Sequence, residues 1–161
     1  MSREAGFTLL EMMLVLVLMG ITALAVIATL PHASTRQQAE KLLIMVRHAA
    51  AQPLLDGGVM RLKISERQVR LARLAPGSTG PDTPFTGYHW QGLSNRLAQL
   101  DLPEGMQLSA WVRGRVQPLP ATLLFVPDGS QPGFTLRVSG AGMTASEIVS
   151  RDGETLLMEA P

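Results

Sequence analysis

The sequence contains no cysteine. Disulfides, thiol catalysis and Cys-ligated zinc are thereby excluded, while an extracytoplasmic location stays open, because disulfides are permitted there and not required. Surplus charge is missing too: 14 Lys and Arg stand against 13 Asp and Glu, for a net charge of +1. That balance offers no bulk attraction for nucleic acid and leaves only a local basic patch to consider. From residue 7 to residue 30 charge is almost absent, for this run of 24 residues is apolar, Gly or Thr except at Glu11. A carboxylate costs roughly 2.5 to 3.5 kcal/mol at a bilayer centre and less near an interface, so its retention requires a reason.

As a helix the run is about 36 Å long, enough to cross a hydrocarbon core of about 30 Å with some tilt. A membrane helix is the first reading. A cleaved secretory signal is the second, with Arg3 as its positive region and Ala23-Leu24-Ala25 as a small-residue cleavage site; the length of the run and the carboxylate at its front count against it. A buried core helix is the third, and a terminal run this long and apolar argues against that. None of the three accounts for Glu11. The remaining chain, about 130 residues, suffices for one modest domain with its own core.

The residues around the carboxylate do suggest an account. A short charged leader ends in Gly6 and is followed by Phe7-Thr8-Leu9-Leu10-Glu11 and the apolar run. This order resembles the type IV pilin and type II secretion pseudopilin family. The resemblance implies that a prepilin peptidase cuts after Gly6 and methylates the new N-terminus at Phe7. It further implies that the Glu11 carboxylate pairs with the Phe7 amine of a neighbouring subunit in a filament. Such pairing is physically sensible, because a charge in a low-dielectric setting persists only when partnered. The expected organisation is a leader over 1–6, a transmembrane and filament-core helix over 7–30, an amphipathic half of that helix over 31–52 and a globular β domain over 53–161.

In the amphipathic half, Ala39, Leu42, Leu43, Val46, Ala49 and Ala50 recur at helical spacing and form a face expected to pack on the domain's own sheet. Ser34 with Gln37 fits a capping box, and Pro31 can kink the helix, so a brief break between the two halves is expected. Helical spacing stops at Gln52-Pro53, and Asp56-Gly57-Gly58 is a turn signal. Alternating runs at 59–64 and 68–74 predict a hairpin. Further strands are predicted at 106–112, 121–126, 133–139, 143–150 and 154–159. Residues 75–105 read as a long loop with a short helix at Leu93–Leu100; a loop of that length is usually functional or mobile. The fold class is therefore α+β, with one long N-terminal helix packed on an all-antiparallel β-sandwich.

A second resemblance lies in the β half. Phe125, Pro127, Asp128, Gly129 and Ser130 form an F-x-P-D-G-S turn similar to that of the H-type minor pseudopilins and the related FimT-like minor pilins, whose β-sandwich packs against the lower helix. Taken by itself, Pro-Asp-Gly is a good type I turn. The Asp152-Gly153 turn before the final strand fits the same branch.

Enzymatic chemistry is not visible. Gly140-Ala141-Gly142-Met143-Thr144-Ala145 matches G-x-G-x-x-A, but too little chain follows for a dinucleotide-binding unit, and a glycine turn between strands is the better reading. His32, His48 and His89 show no ligand spacing, Asp82, Asp101 and Asp128 are far apart in sequence, and no nucleophile, base and orienter can be picked out. No cofactor and no metal are expected. Arg113-Gly114-Arg115 reads as a solvated turn; FimT-like pilins can bind DNA through Gly-Arg-x-Arg, but Gln117 stands where the second arginine belongs, so nucleic acid is disfavoured as a partner.

The resemblance implies a non-enzymatic minor pseudopilin, a subunit of the periplasmic pseudopilus of a type II secretion system that helps build its tip for export of folded exoproteins. Its partners are then the major and other minor pseudopilins, the prepilin peptidase and the inner-membrane assembly platform, with exoprotein and secretin as further candidates. Localisation follows: a single pass of the inner membrane, N-terminus cytoplasmic, C-terminal domain periplasmic. A FimT-like minor pilin acting in pilus initiation or DNA uptake is the alternative, and a secreted binding domain behind a signal peptide is a third.

Overall fold

The computed structural model describes residues 9–29, 34–83 and 85–160, with side chains over 9–22 in the first of these segments. Gly6, Phe7, Pro31 and His32 lie outside the described residues. The chain forms two compact units, one up to His32 and one from Ala33.

The first unit holds α1, Leu9–Thr29, with Glu11 in its first turn. A carboxylate there complements the positive end of the helix dipole. Among the described residues no helix is long and apolar enough to cross a membrane; the side chains described in α1 stop at Thr22, after about 21 Å of rise.

The second unit opens with α2, Thr35–Asp56. The break expected between the two halves of the N-terminal helix falls before this start. Ser34 explains the break: its backbone is extended, at φ −87° and ψ 151°, and its hydroxyl accepts the Gln37 N–H at 3.1 Å, so helical hydrogen bonding starts afresh. At the other end the helix runs one turn past the expected stop at Gln52-Pro53. Pro53 lies inside this last turn, which closes where the Gly57 N–H donates to the Pro53 carbonyl at 2.9 Å, with Gly57 in the left-handed region at φ 69°. Gln52 adds a side-chain bond to Asp56 within the same turn.

Among the described residues ten strands follow: β1 Met60–Ile64, β2 Gln68–Pro76, β3 Tyr88–Gly92, β4 Gln99–Asp101, β5 Met106–Val112, β6 Arg115–Gln117, β7 Ala121–Phe125, β8 Phe134–Gly140, β9 Met143–Arg151 and β10 Glu154–Glu159. They form two five-stranded antiparallel sheets. The first has the order β3-β2-β1-β7, with β4 also on β2, and the second the order β10-β9-β8-β5-β6. The predicted hairpin is present, with Leu62 opposite Leu71.

Alternation along the strands builds the core. Met60, Leu62 and Ile64 of β1, Leu123 and Phe125 of β7, Met106 and Leu108 of β5, and Leu136 and Val138 of β8 face inward and are buried. They form one cluster with Ala39, Leu42, Met45, Val46 and Ala49 of α2, so the apolar face of α2 is used on the domain's own sheets. Phe125 and Phe134 meet edge to face across the two sheets at 6.2 Å. The N-terminal turn of α2 is pinned to β9 by the Thr35 hydroxyl, which donates to the Thr144 carbonyl and accepts from Ser146.

The helix expected at Leu93–Leu100 does not form. Asn95 instead accepts the Leu97 N–H with its side chain and the Ala98 N–H with its carbonyl, a local turn that competes with helix propagation. The long loop expected over 75–105 is partly sheet: β3 pairs with the C-terminal half of β2 and β4 with its N-terminal half, along one edge.

Candidate functional site

The features expected to carry function belong to different units. Glu11 sits exposed on α1, whereas the Phe125–Ser130 turn belongs to the second unit. In that turn Phe125 is buried against Phe134, the Gly129 N–H bonds to the Val126 carbonyl at 3.1 Å, and Gly129 takes φ 70°. Asp128 accepts both the backbone N–H and the hydroxyl of Ser130, at 2.8 and 2.7 Å. Those bonds, the hydroxyl's first, hold its carboxyl below the usual range. The motif is thus a structural staple: its aromatic anchors the core and its acid locks the turn. The turn also walls an open groove of about 580 Å³, with Leu54 of α2 and Leu156 of β10 on its other sides.

Arg113 and Gly114 are the central residues of the β5–β6 hairpin, both at positive φ, 51° and 73°, as a type I′ turn requires. Arg113 and Arg115 are brought together on a shallow cavity of about 520 Å³ beside Pro132. Gly140 to Met143 is likewise a hairpin turn, between β8 and β9, and so is Asp152-Gly153, at φ 53° and 84°.

His48 and His89 stand on α2 and β3. Asp82, Asp101 and Asp128 are each engaged locally: Asp82 with Lys63, Asp101 with Gln68 and Gln99, and Asp128 with Ser130. Among the described residues no group of His and acidic side chains is arranged to hold a metal ion.

One cluster escapes sequence reading. Arg61 and Lys63 of β1, Arg70 of β2 and Trp90 of β3 share the solvent face of the first sheet, where two clefts of about 330 and 490 Å³ flank them. The Arg61 guanidinium lies 4.6 Å from the centre of the Trp90 ring. Burial pushes the Arg61 guanidinium below its ordinary pKa, Asp82 opposing that shift. The alternation of β1 gives the face of Arg61 and Lys63, but no sequence signal gives the register that adds Arg70 and Trp90.

Comparison with known proteins bears on both ends of the chain. Residues 1–27 match the prokaryotic N-terminal methylation motif. Two structures of the minor pseudopilin EpsH of the Vibrio cholerae type 2 secretion system superpose on it. One has a TM-score of 0.57 at 17% identity, covering 78% of this chain and 94% of that one; the other has 0.59 at 19%, covering 76% and 92%. The chain has the H-type pseudopilin fold. In sequence it is 29% identical over 118 residues to type II secretion system protein H of Aeromonas hydrophila. That match takes in 70% of this chain and spans 60% of the length of the Aeromonas protein. The H-type resemblance drawn from Gly6 to Glu11 and from the Phe125–Ser130 turn thus agrees with the motif match and with the fold.

Proposed function

We propose that the chain is a minor pseudopilin of a type II secretion system, a non-enzymatic subunit of the periplasmic pseudopilus that helps assemble its tip. The observation that carries this reading is the combination of an N-terminal methylation motif over residues 1–27 with the EpsH fold over 78% of the chain. In this reading a prepilin peptidase cuts between Gly6 and Phe7 and methylates Phe7. Phe7 to Leu30 holds the subunit in the inner membrane before assembly, with the second unit in the periplasm. The 24-residue apolar run of the sequence supports the anchor, since a helix of that length rises about 36 Å. The Glu11 carboxylate then meets the Phe7 ammonium of a neighbouring subunit, and this pairing lets both charges remain in an apolar filament core. The partners are the major and other minor pseudopilins and the inner-membrane assembly platform, with exoprotein and secretin met at the growing tip.

Intact mass and N-terminal sequencing of the membrane-extracted protein test the reading. The mature chain is expected to start at Phe7 with one added methyl group; a start near Val26 would replace the pseudopilin reading with a cleaved signal. Glu11→Ala is expected to leave insertion and cleavage intact and to reduce crosslinking to the other pseudopilins by about tenfold or more, as loss of a buried ion-pair partner predicts. Undiminished crosslinking would remove Glu11 from the assembly contact.

A further inference from the structure

The outer face of the first sheet carries a charge arrangement that the fold itself does not need. Lys63 stands directly opposite Arg70 in the β1–β2 register, and like charges directly opposite destabilise a strand pair. The Arg61 guanidinium lies over the Trp90 ring, whose indole N–H donates to the Asp82 carbonyl at 3.0 Å. The Arg61 Nε is buried and has no hydrogen-bond partner, a donor withdrawn from water at a cost. The carboxylates nearby are committed: Asp82 pairs with Lys63 at 3.5 Å, and the oxygens of Asp101, close enough to feel Arg70, accept from Gln68 and Gln99. Among the described residues neither Arg61 nor Arg70 forms an ion pair.

Between these two arginines lies the cleft of about 490 Å³. It opens where residues 93–98 link β3 to β4 along the sheet edge, with the Leu71 N–H donating to the Ala98 carbonyl. Leu93 and Ala98 form an apolar wall, Gln99 supplies an amide, and no carboxylate lines the space. We propose that this cleft docks an extended acidic segment of a protein partner, with carboxylates at alternate positions on Arg61 and Arg70. Spacing favours that occupant. Arg61 lies opposite Ala72, so Arg70 is its diagonal neighbour, about 7 to 8 Å away along the backbone. Alternate residues of an extended chain repeat every 6.8 Å or so. Composition favours a peptide over a polyphosphate, since half the wall is apolar and the whole chain has a net charge of only +1. The proposal does not rest on the secretion reading and stands or falls separately.

The test uses the full chain in neutral detergent micelles with ¹⁵N-labelled arginine and tryptophan side chains. Acetyl-Ser-Glu-Leu-Glu-Ser-amide is titrated in, with its Gln counterpart, inorganic phosphate and single-stranded oligothymidylate as separate arms. The Arg61 Nε–H and Trp90 Nε1–H resonances are expected to shift saturably with the acidic peptide alone, while Trp111 stays still. Arg70→Gln is expected to weaken the peptide by about tenfold or more and, by removing the like-charge opposition to Lys63, to raise the melting temperature. That opposite movement separates a binding role from a merely structural one. No saturable shift, or an affinity unchanged in Arg70→Gln, overturns the proposal. Saturation by phosphate or oligothymidylate at lower concentration than by peptide also overturns it, making the cleft a phosphate site.

Discussion

Three carboxylates on exposed turns and edges are locked by local hydrogen bonds, and their chemistry sets how the domain responds to acid. Asp56 accepts from the Gln52 amide and the Gly58 N–H, and it also meets Arg73 at 3.2 Å. The Gln52 bond, then the Gly58 bond, lowers its pKa. Asp101 is lowered chiefly by Gln68 and then by Gln99, and Asp128 by Ser130. A carboxyl whose folded pKa lies below its unfolded value, about 3.9 for Asp, binds protons more readily in the unfolded chain. Its stabilising effect is therefore complete above that value and is lost as pH falls through the lower folded pKa. The melting temperature is accordingly expected to hold from pH 7 to about 5 and then to drop between about pH 4 and 2. Replacing Asp56, Asp101 and Asp128 together by Asn should lower stability at pH 7 and flatten that drop, as read by circular dichroism melts at stepped pH. An unaltered acid profile in the triple variant would assign the acid response to other groups.

At the scale of elements, caps and turns decide where each begins and ends. Ser34 sets the start of α2, and Ser34→Ala removes the acceptor of the Gln37 N–H. The expected loss is about 1 kcal/mol, or roughly 2 to 4 °C in melting temperature for a chain of this size, and Ser34→Asp should restore it. That cap was legible in the sequence, as were the hairpin of β1 and β2, the strands β5 and β7 to β10 and the glycine turns, because alternation and turn chemistry are local signals. Strands β3, β4 and β6 were not. Gln99–Asp101 and Arg115–Gln117 are three residues each, too short for a period to show, and Tyr88–Gly92 has no buried alternation, at most half-burying His89 and Trp90. Their strand character is imposed by β2 and β5, which offer open edges to pair with. The helix expected at Leu93–Leu100 failed for the complementary reason: its apolar spacing was helical, but Asn95 spends its side chain on the backbone two residues on. Of the candidate site residues, Glu11 stands out in the sequence as the one carboxylate of the apolar run and Pro127-Asp128-Gly129 as a turn, while the roles given to them come from the family resemblance. The meeting of Arg61, Arg70 and Trp90 depends on cross-strand register, which no single stretch of sequence encodes.

For the whole molecule, the decisive feature is that, among the described residues, the main core cluster lies within the second unit. Every buried apolar residue of the main cluster lies between Ala39 and Ile148, inside the unit that begins at Ala33, and the ties that close that unit, from Thr35 to β9 and from Arg36 and Arg47 to β10, are internal to it. Under the proposed function the subunit exchanges a membrane for a filament, and the surroundings of its apolar helix then change completely. If folding of the β domain drew on those surroundings, the exchange would carry a folding penalty. The arrangement of the core separates the two problems. A fragment of residues 34–161 is therefore expected to unfold in one cooperative transition, with a melting temperature within about 2 to 4 °C of that of the domain in the full chain, the shift that about 1 kcal/mol produces. Leu62→Ala, which empties a fully buried position between the sheets and α2, should destabilise the fragment by about 2 to 5 kcal/mol, and by the same amount in the full chain held in detergent. Differential scanning calorimetry of the four samples measures both quantities. A fragment that melts without a cooperative transition, or a Leu62→Ala penalty that differs between fragment and full chain, would show that the domain leans on the helix and that assembly must remodel it.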